Sequence, residues 1–191
     1  MSPLLAQLKI YCAAHSHEAA MTLRLHKFLD AAQTQSPFAR ELVGLAPEHG
    51  HVTGSAWIVN REYSRVVLVY HAKLGKWVQP GGHCDGESDV LAVAKREAEE
   101  ETGLHVTSLS EDIFDVDVHE IPEYWNTPAH LHFDVRYLLL ADDAQRPVCS
   151  NESTAVRWVS LDEASTLSGE ASITRMIEKT RRLQSALTNR S

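Results

Sequence analysis

Gly82-His83-Cys84-Asp85-Gly86-Glu87-Ser88, answered downstream by Arg96-Glu97-Ala98-Glu99-Glu100-Glu101-Thr102-Gly103-Leu104, is the most informative part of this chain. A glycine-rich turn leads into a run in which Glu97, Glu99, Glu100 and Glu101 crowd together, and a glycine follows at once. Residues 88–101 read as a helix. Ser88 is a suitable N-cap and Asp89 suits the first turn, where the helix dipole favours negative charge. Gly103 stands where a left-handed C-terminal cap is expected. On a wheel of roughly 100° per residue, Glu97, Glu100 and Glu101 fall within an arc of about 100°. Val90 and Val93 share that arc, with Leu91, Ala94 and Ala98 beside it, whereas Glu99 points to the other side. A solvated acidic face would separate carboxylates from apolar residues. This one mixes them, and like charges gathered at a partly desolvated surface are unfavourable unless a cation joins them. Mg²⁺ suits such oxygen donors and is often shared with substrate phosphates. Pro80-Gly81-Gly82 ahead of the helix allows main chain to approach a metal or phosphate closely.

The pattern resembles the Nudix box. Gly82, Arg96, Glu97, Ala98, Glu100, Glu101, Gly103 and Leu104 match it in register. One position departs: the first glutamate of the box is Ser88 here, with Glu87 displaced by one residue. The resemblance extends more loosely from about Gly50 to Trp158 and the helix beyond. It implies an α/β fold, a Nudix-like α/β/α sandwich with a mixed sheet, in which the box forms a loop, a helix and a loop. It also implies roles. Glu97, Glu100 and Glu101 would be metal ligands for Mg²⁺ or Mn²⁺, assisted by the main chain at Gly82. Arg96 would anchor the box by pairing with glutamates, Glu87 standing in for the missing partner, and Gly103 would close the helix.

The activity implied is metal-dependent hydrolysis of a pyrophosphate bond in a nucleoside diphosphate linked to another moiety, or in a related compound. The metal would lower the pKa of a bound water, and Glu101 or Glu152 would take its proton, which makes Glu97, Glu101 and Glu152 the candidate catalytic set. Ser88 motivates an alternative, a non-catalytic sensor of a nucleotide or an ADP-ribose-type ligand on the same fold. A prenyl-diphosphate isomerase is the third reading, with Cys84 poorly placed for it.

Composition sets bounds. A chain of 191 residues, 43% hydrophobic, can bury one good core. The formal charge of −8 argues against a binder of nucleic-acid polymers. Cys12, Cys84 and Cys149 are too few and too scattered for a disulfide framework, and no apolar run is long enough to span a membrane; a reduced, cytoplasmic setting is the expectation. The partner that the resemblance implies is a small-molecule diphosphate.

Residues 1–48 read as an added helical extension and 49–191 as the catalytic domain. Ser2-Pro3 starts a helix, and Met21, Leu25, Phe28, Leu29 and Ala32 recur at helical spacing. Ser36-Pro37 begins a further short helix ending near Gly44, and residues 46–50 form a linker. The extension would cap the sheet or mediate homodimer contact. Residues 52–59, 65–70, 129–140 and 157–159 read as strands, 160–164 opens the helical C-terminus, and 173–187 is a long amphipathic helix.

In 129–140 the polar residues His130, His132, Asp134 and Arg136 alternate with Leu131, Phe133, Val135 and Tyr137, so period two places them on one face. That face is either wet or a wall of the substrate cleft, where His130 and His132 would bind phosphate or base or serve as a second metal pair, and Arg136 would contact substrate. Trp125 in a proline-flanked loop is a candidate to stack on a base. Cys84 reads as an incidental small residue, and the pairs His15/His17 and His49/His51 as solvent-facing.

Overall fold

The computed structural model describes residues 3–32, 36–40, 48–123, 127–151 and 153–189. Seven strands form one mixed sheet: β1 Gly50–Val59, β2 Arg65–His71, β3 Lys76–Val78, β4 Gly81–His83, β5 Thr107–Ile121, β6 His130–Leu140 and β7 Ser153–Ser160. The path runs β3-β2-β1-β6-β5, with β4 also paired to β1 and β7 to β2. β1 and β6 run parallel; the other described pairings are antiparallel. The helices are α1 Pro3–Ala14, α2 Ala19–Ala31, α3 Val90–Thr102, α4 Leu161–Ser168 and α5 Ala171–Thr188.

Every residue of β1 is buried, because helices cover the sheet on both sides. On one side Val52, Ala56 and Ile58 join Phe133, Val135 and Leu139 against Val90, Val93, Ala94 and Ala98 of α3. On the other, Trp57 and Val59 join Val66, Leu68, Ile173, Met176 and Ile177 under α4 and α5. The α/β/α sandwich with a mixed sheet is therefore the observed architecture. Gly54 lets α3 come close: a Cβ there would lie 3.0 Å from the Val90 carbonyl oxygen and from Val93.

The N-terminal helices are built into the same core as α3. Leu4, Leu8, Tyr11, Leu25 and Phe28 belong to it, and the Phe28 ring stacks on Phe133 of β6 with centroids 4.0 Å apart. Burying a side chain of this size is worth about 1.5–3 kcal/mol, so α1 and α2 act as a cap on the sheet. Residues 36–40 form a turn instead of the start of a helix. Their backbone is drawn away: Val52 N–H donates to the Pro37 carbonyl and Gly86 N–H to the Phe38 carbonyl, each at 2.8 Å. The rest of that expected helix, and residues 46–47 of the expected linker, lie outside the described residues; Gly50 already begins β1.

The boundaries of α3 differ by one cap. Asp89, not Ser88, is the N-cap, its carboxylate accepting from Ala92 N–H at 3.0 Å. Gly103 closes the helix as expected, at φ 66°, donating to the Glu99 carbonyl at 2.8 Å. Alternation finds no strand at 107–121, yet β5 is the longest strand of the sheet. Its inward positions include Asp115 and Asp117, whose charges are neutralised across the sheet, so the apolar rhythm is broken at the residues that face the interior.

Candidate active site

On α3, Glu97 and Glu101 lie one turn apart and face the protein. The Glu97 side chain is 16% exposed and Glu101 is 8% exposed. Glu100 does not share their environment: its side chain is 63% exposed, reaching back toward Arg96 Nε at 3.9 Å. It stands at the rim of the predicted arc, where the helix surface already turns to solvent. The Glu97 carboxylate is seated against the backbone of Gly82, so closely that a Cβ on Gly82 would fall 2.4 Å from Oε2. Arg96 ties this arrangement down: Nη2 donates to Glu97 Oε1 at 2.8 Å and to the His83 carbonyl at 3.1 Å. The bond to Glu97 pushes the Arg96 guanidinium above its ordinary pKa, so it stays charged. Glu87 uses its carboxylate on the Asp89 N–H at 2.8 Å. Inward carboxylates one turn apart, beside a main-chain segment that only glycine permits, are a donor set suited to a hard dication.

Gly82 faces α3, so its neighbours Gly81 and His83 face the other side of the sheet. That side is a polar ladder crossing four strands. On one rung His119 of β5, His132 of β6 and His51 of β1 are in register. On the next are Asp117, Asp134, Thr53 and His83 of β4. On the third are Asp115, Arg136 and Ser55. Asp134 accepts from Thr53 Oγ1 at 3.0 Å, Ser55 Oγ at 2.8 Å, Gln79 Nε2 at 3.3 Å and Arg136 Nε at 2.7 Å. Asp115 accepts from Arg136, from Arg175 of α5 and from Lys179 of α5, and Lys179 continues to Glu18 and Tyr11. Burial raises the Asp117 carboxyl, but the bond from His119, the Arg136 charge and the bond from Arg175 outweigh it and hold it below the carboxylate range.

At the histidine end the ring centroids of His51 stand 4.9 Å from His83, 4.8 Å from His132 and 5.1 Å from His130. Desolvation, reinforced by the neighbouring rings, lowers His51 to about 4 and His132 to about 2, which keeps both imidazoles neutral. Burial pushes the Cys84 thiol up to about 12, so it is protonated and no nucleophile.

A family model described as the NUDIX domain matches residues 50–179. The chain belongs to the NUDIX family. The match opens at the first residue of β1 and ends within α5, leaving α1 and α2 outside it. A hydrolase of CMP-5'-(N-acetyl-N-hydroxy-3-aminopropyl)phosphonate from Streptomyces rubellomurinus is 30% identical over 117 residues, which is 58% of this chain and 52% of that protein. The chain thus matches about half the length of that relative. Among solved structures, a C. elegans Ap4A hydrolase in a binary complex superposes with a TM-score of 0.57 at 17% identity, covering 71% of this chain and 98% of the other. A NUDIX-family hydrolase from Clostridium perfringens gives 0.52 at 21% identity, covering 70% and 97%. At these identities the structures establish the shared fold.

Within this NUDIX domain the residues expected from sequence are dispersed. Glu97, Glu101, Gly82 and Arg96 come together; Glu100 lies at the rim. Glu152 and Trp125 lie outside the described residues. Arg136 is not open to a substrate: it is 2% exposed and committed to Asp115, Asp117 and Asp134. His130 is likewise interior, its Nδ1 bonded to the Pro128 carbonyl at 2.8 Å. The strand face read as wet is thus mostly dry, closed over by α5 and by its own ion pairs. His51, expected to face solvent, is 3% exposed, and nothing in the local sequence singles out His83. A signal existed: His51, Thr53 and Ser55 alternate on β1 as His130 to Arg136 do on β6. The parallel pairing that sets the two rows side by side is not written locally.

Proposed function

We propose that this NUDIX protein is a hydrolase that cleaves a pyrophosphate bond in a nucleoside diphosphate linked to another moiety, with Mg²⁺ or Mn²⁺ held by Glu97, Glu100 and Glu101 and the main chain at Gly82. The observation that carries the reading is the seat of the Glu97 carboxylate against Gly82, with Glu101 buried one turn further on. The relatives whose names describe hydrolases of a CMP-linked phosphonate and of Ap4A support the substrate class. When bound, the dication neutralises the diphosphate and makes water a stronger acid. The chain's own residues do the rest. Arg96 fixes the Glu97 carboxylate and the His83 carbonyl in one geometry, so the ligand set is assembled before substrate arrives. Glu101, inward and shielded, accepts the proton of the attacking water; Glu152 is the other candidate for that step. Of the residues assigned to substrate, His132 keeps a partly exposed ring, and Trp125 remains the candidate to stack on a base.

The test is Glu101→Gln assayed with Mg²⁺ against nucleoside triphosphates, sugar nucleotides, dinucleoside polyphosphates and coenzyme A. Loss of a general base predicts a fall of about 10²–10⁴ in turnover, with an unchanged melting temperature. Hydrolysis at the unsubstituted rate would remove Glu101 from the mechanism. Calorimetric binding of these ligands with no turnover by the unsubstituted protein would mean a ligand sensor instead.

A further inference from the structure

We propose that His51, His83 and His132 form a second metal site, selective for a divalent transition ion of the zinc class and separate from the carboxylate site of α3. The three rings come from three strands. His51 and His132 are direct partners in the parallel β1–β6 pair, and His83 stands on the next rung opposite Thr53, pointing to the same face. One ring nitrogen from each lies within 4.8 Å of those of the other two.

Proximity alone would describe packed aromatic rings. The second observation is the state of His51. Its ring is 3% exposed, and neither Nδ1 nor Nε2 has a hydrogen-bond partner among the described residues. The backbone of Arg40 approaches the ring without reaching hydrogen-bond geometry. A buried polar atom left unsatisfied loses its water without replacement, and interiors generally avoid this. The flanking rings are satisfied: His130 Nδ1 bonds the Pro128 carbonyl at 2.8 Å, and His119 Nδ1 bonds Asp117 Oδ2 at 3.1 Å. One of the two unmet nitrogens of His51 is the atom that lies within 4.8 Å of a ring nitrogen of His83 and of His132.

Donor chemistry selects the ion. Neutral imidazole suits Zn²⁺, Ni²⁺, Cu²⁺ or Fe²⁺, whereas Mg²⁺ demands oxygen. The two sites of the domain would thus sort cations by ligand type. Three protein ligands leave a coordination position for water or an oxyanion. His83 and His132 are only partly buried, so an ion can enter from their side. Tetrahedral coordination at Zn–N distances of about 2.0–2.1 Å sets nitrogens roughly 3.4 Å apart, so the rings draw together on binding.

The experiment uses the full chain, stripped with a chelator and titrated with Co²⁺, whose visible absorption reports nitrogen ligation in a four- or five-coordinate site. The result expected is one equivalent giving visible bands in the unsubstituted protein and in the Glu97→Gln/Glu101→Gln double variant, undiminished by excess Mg²⁺. His51→Gln and His132→Gln should each abolish the bands or weaken affinity more than tenfold. His83→Asn, at a partly exposed ring where folding is not at risk, should do the same, with circular dichroism checking the fold of all three. No bands in the unsubstituted protein, or bands that survive in folded His83→Asn, overturn the proposal. Bands lost in the double glutamate variant and kept in the histidine variants also overturn it. The outcome is independent of whether Glu101→Gln loses hydrolysis, so this site and the hydrolase reading fail separately.

Discussion

Gly82→Ala isolates the contact on which the proposed chemistry depends. The added Cβ would lie 2.4 Å from Glu97 Oε2 and 2.6 Å from its Cδ, while ordinary contact begins near 3.4 Å. The carboxylate must therefore retreat by about 1 Å. What gives way is the far end of a flexible side chain, and φ at Gly82 is not positive, so the fold should tolerate the change and the melting temperature should hold. The site should not. A displacement of about 1 Å at a positioned catalytic group costs roughly 10²-fold, equivalent to about 2.7 kcal/mol of transition-state stabilisation. The Glu97 shift also strains the 2.8 Å bond from Arg96, so more Mg²⁺ or Mn²⁺ should be needed for half-maximal rate. The assay is kcat/KM on the best diphosphate substrate across a metal titration, with thermal melts alongside. Gly50→Ala supplies the contrast: its Cβ would lie 2.0 Å from the Leu131 backbone oxygen, which cannot move without parting β1 from β6. That variant should lose stability. If Gly82→Ala hydrolyses substrate at the unsubstituted rate with unchanged metal demand, the Glu97 seat is not part of the site.

Three further outcomes follow from the interior. Phe28→Ala, which removes the ring stacked on Phe133, should cost about 3–5 kcal/mol in urea unfolding; a loss below about 1 kcal/mol would mean that the N-terminal helices are dispensable to the domain core. Asp115→Asn leaves Arg136, Arg175 and Lys179 facing a neutral group in a site with no exposure, and should cost about 3–5 kcal/mol. A neutral effect in chemical denaturation would show that the network carries no net stability. Because the folded Asp117 carboxyl titrates below its ordinary range, its contribution is present above about pH 4 and is lost as pH falls toward the lowered value. Asp117→Asn should flatten that part of the acid limb in melts taken at successive pH values, and an unchanged limb would contradict the assignment.

Much of α3 is legible in the residues themselves because helices are local. The spacing of Val90, Val93, Glu97 and Glu101 fixes which side faces in, and Gly103 marks the stop through a preference of a single residue. Ser88 suits the N-cap and Asp89 the first turn when the residues are taken alone, and only the Ala92 amide, bonded to Asp89, moves the cap by one residue. β5 was hidden for the opposite reason. Asp115 and Asp117 are inward residues whose partners sit on β6 and α5, so no window along the chain contains the charges that make their burial tolerable. Arg136 is opaque for the same reason: an arginine alternating with histidines resembles a substrate contact until the three carboxylates around it are known.

From the chain alone came the family, the layered α/β/α plan and the inward phase of Glu97 and Glu101, since each depends on neighbours within a few turns or on a motif read in register. Tertiary structure alone decided that α1 and α2 belong to the core, that Glu100 stands at the rim, and that His51, His83 and His132 meet. Strand pairing brings those residues together across long stretches of chain, and register between strands is set by the packing of whole faces rather than by any residue's immediate sequence.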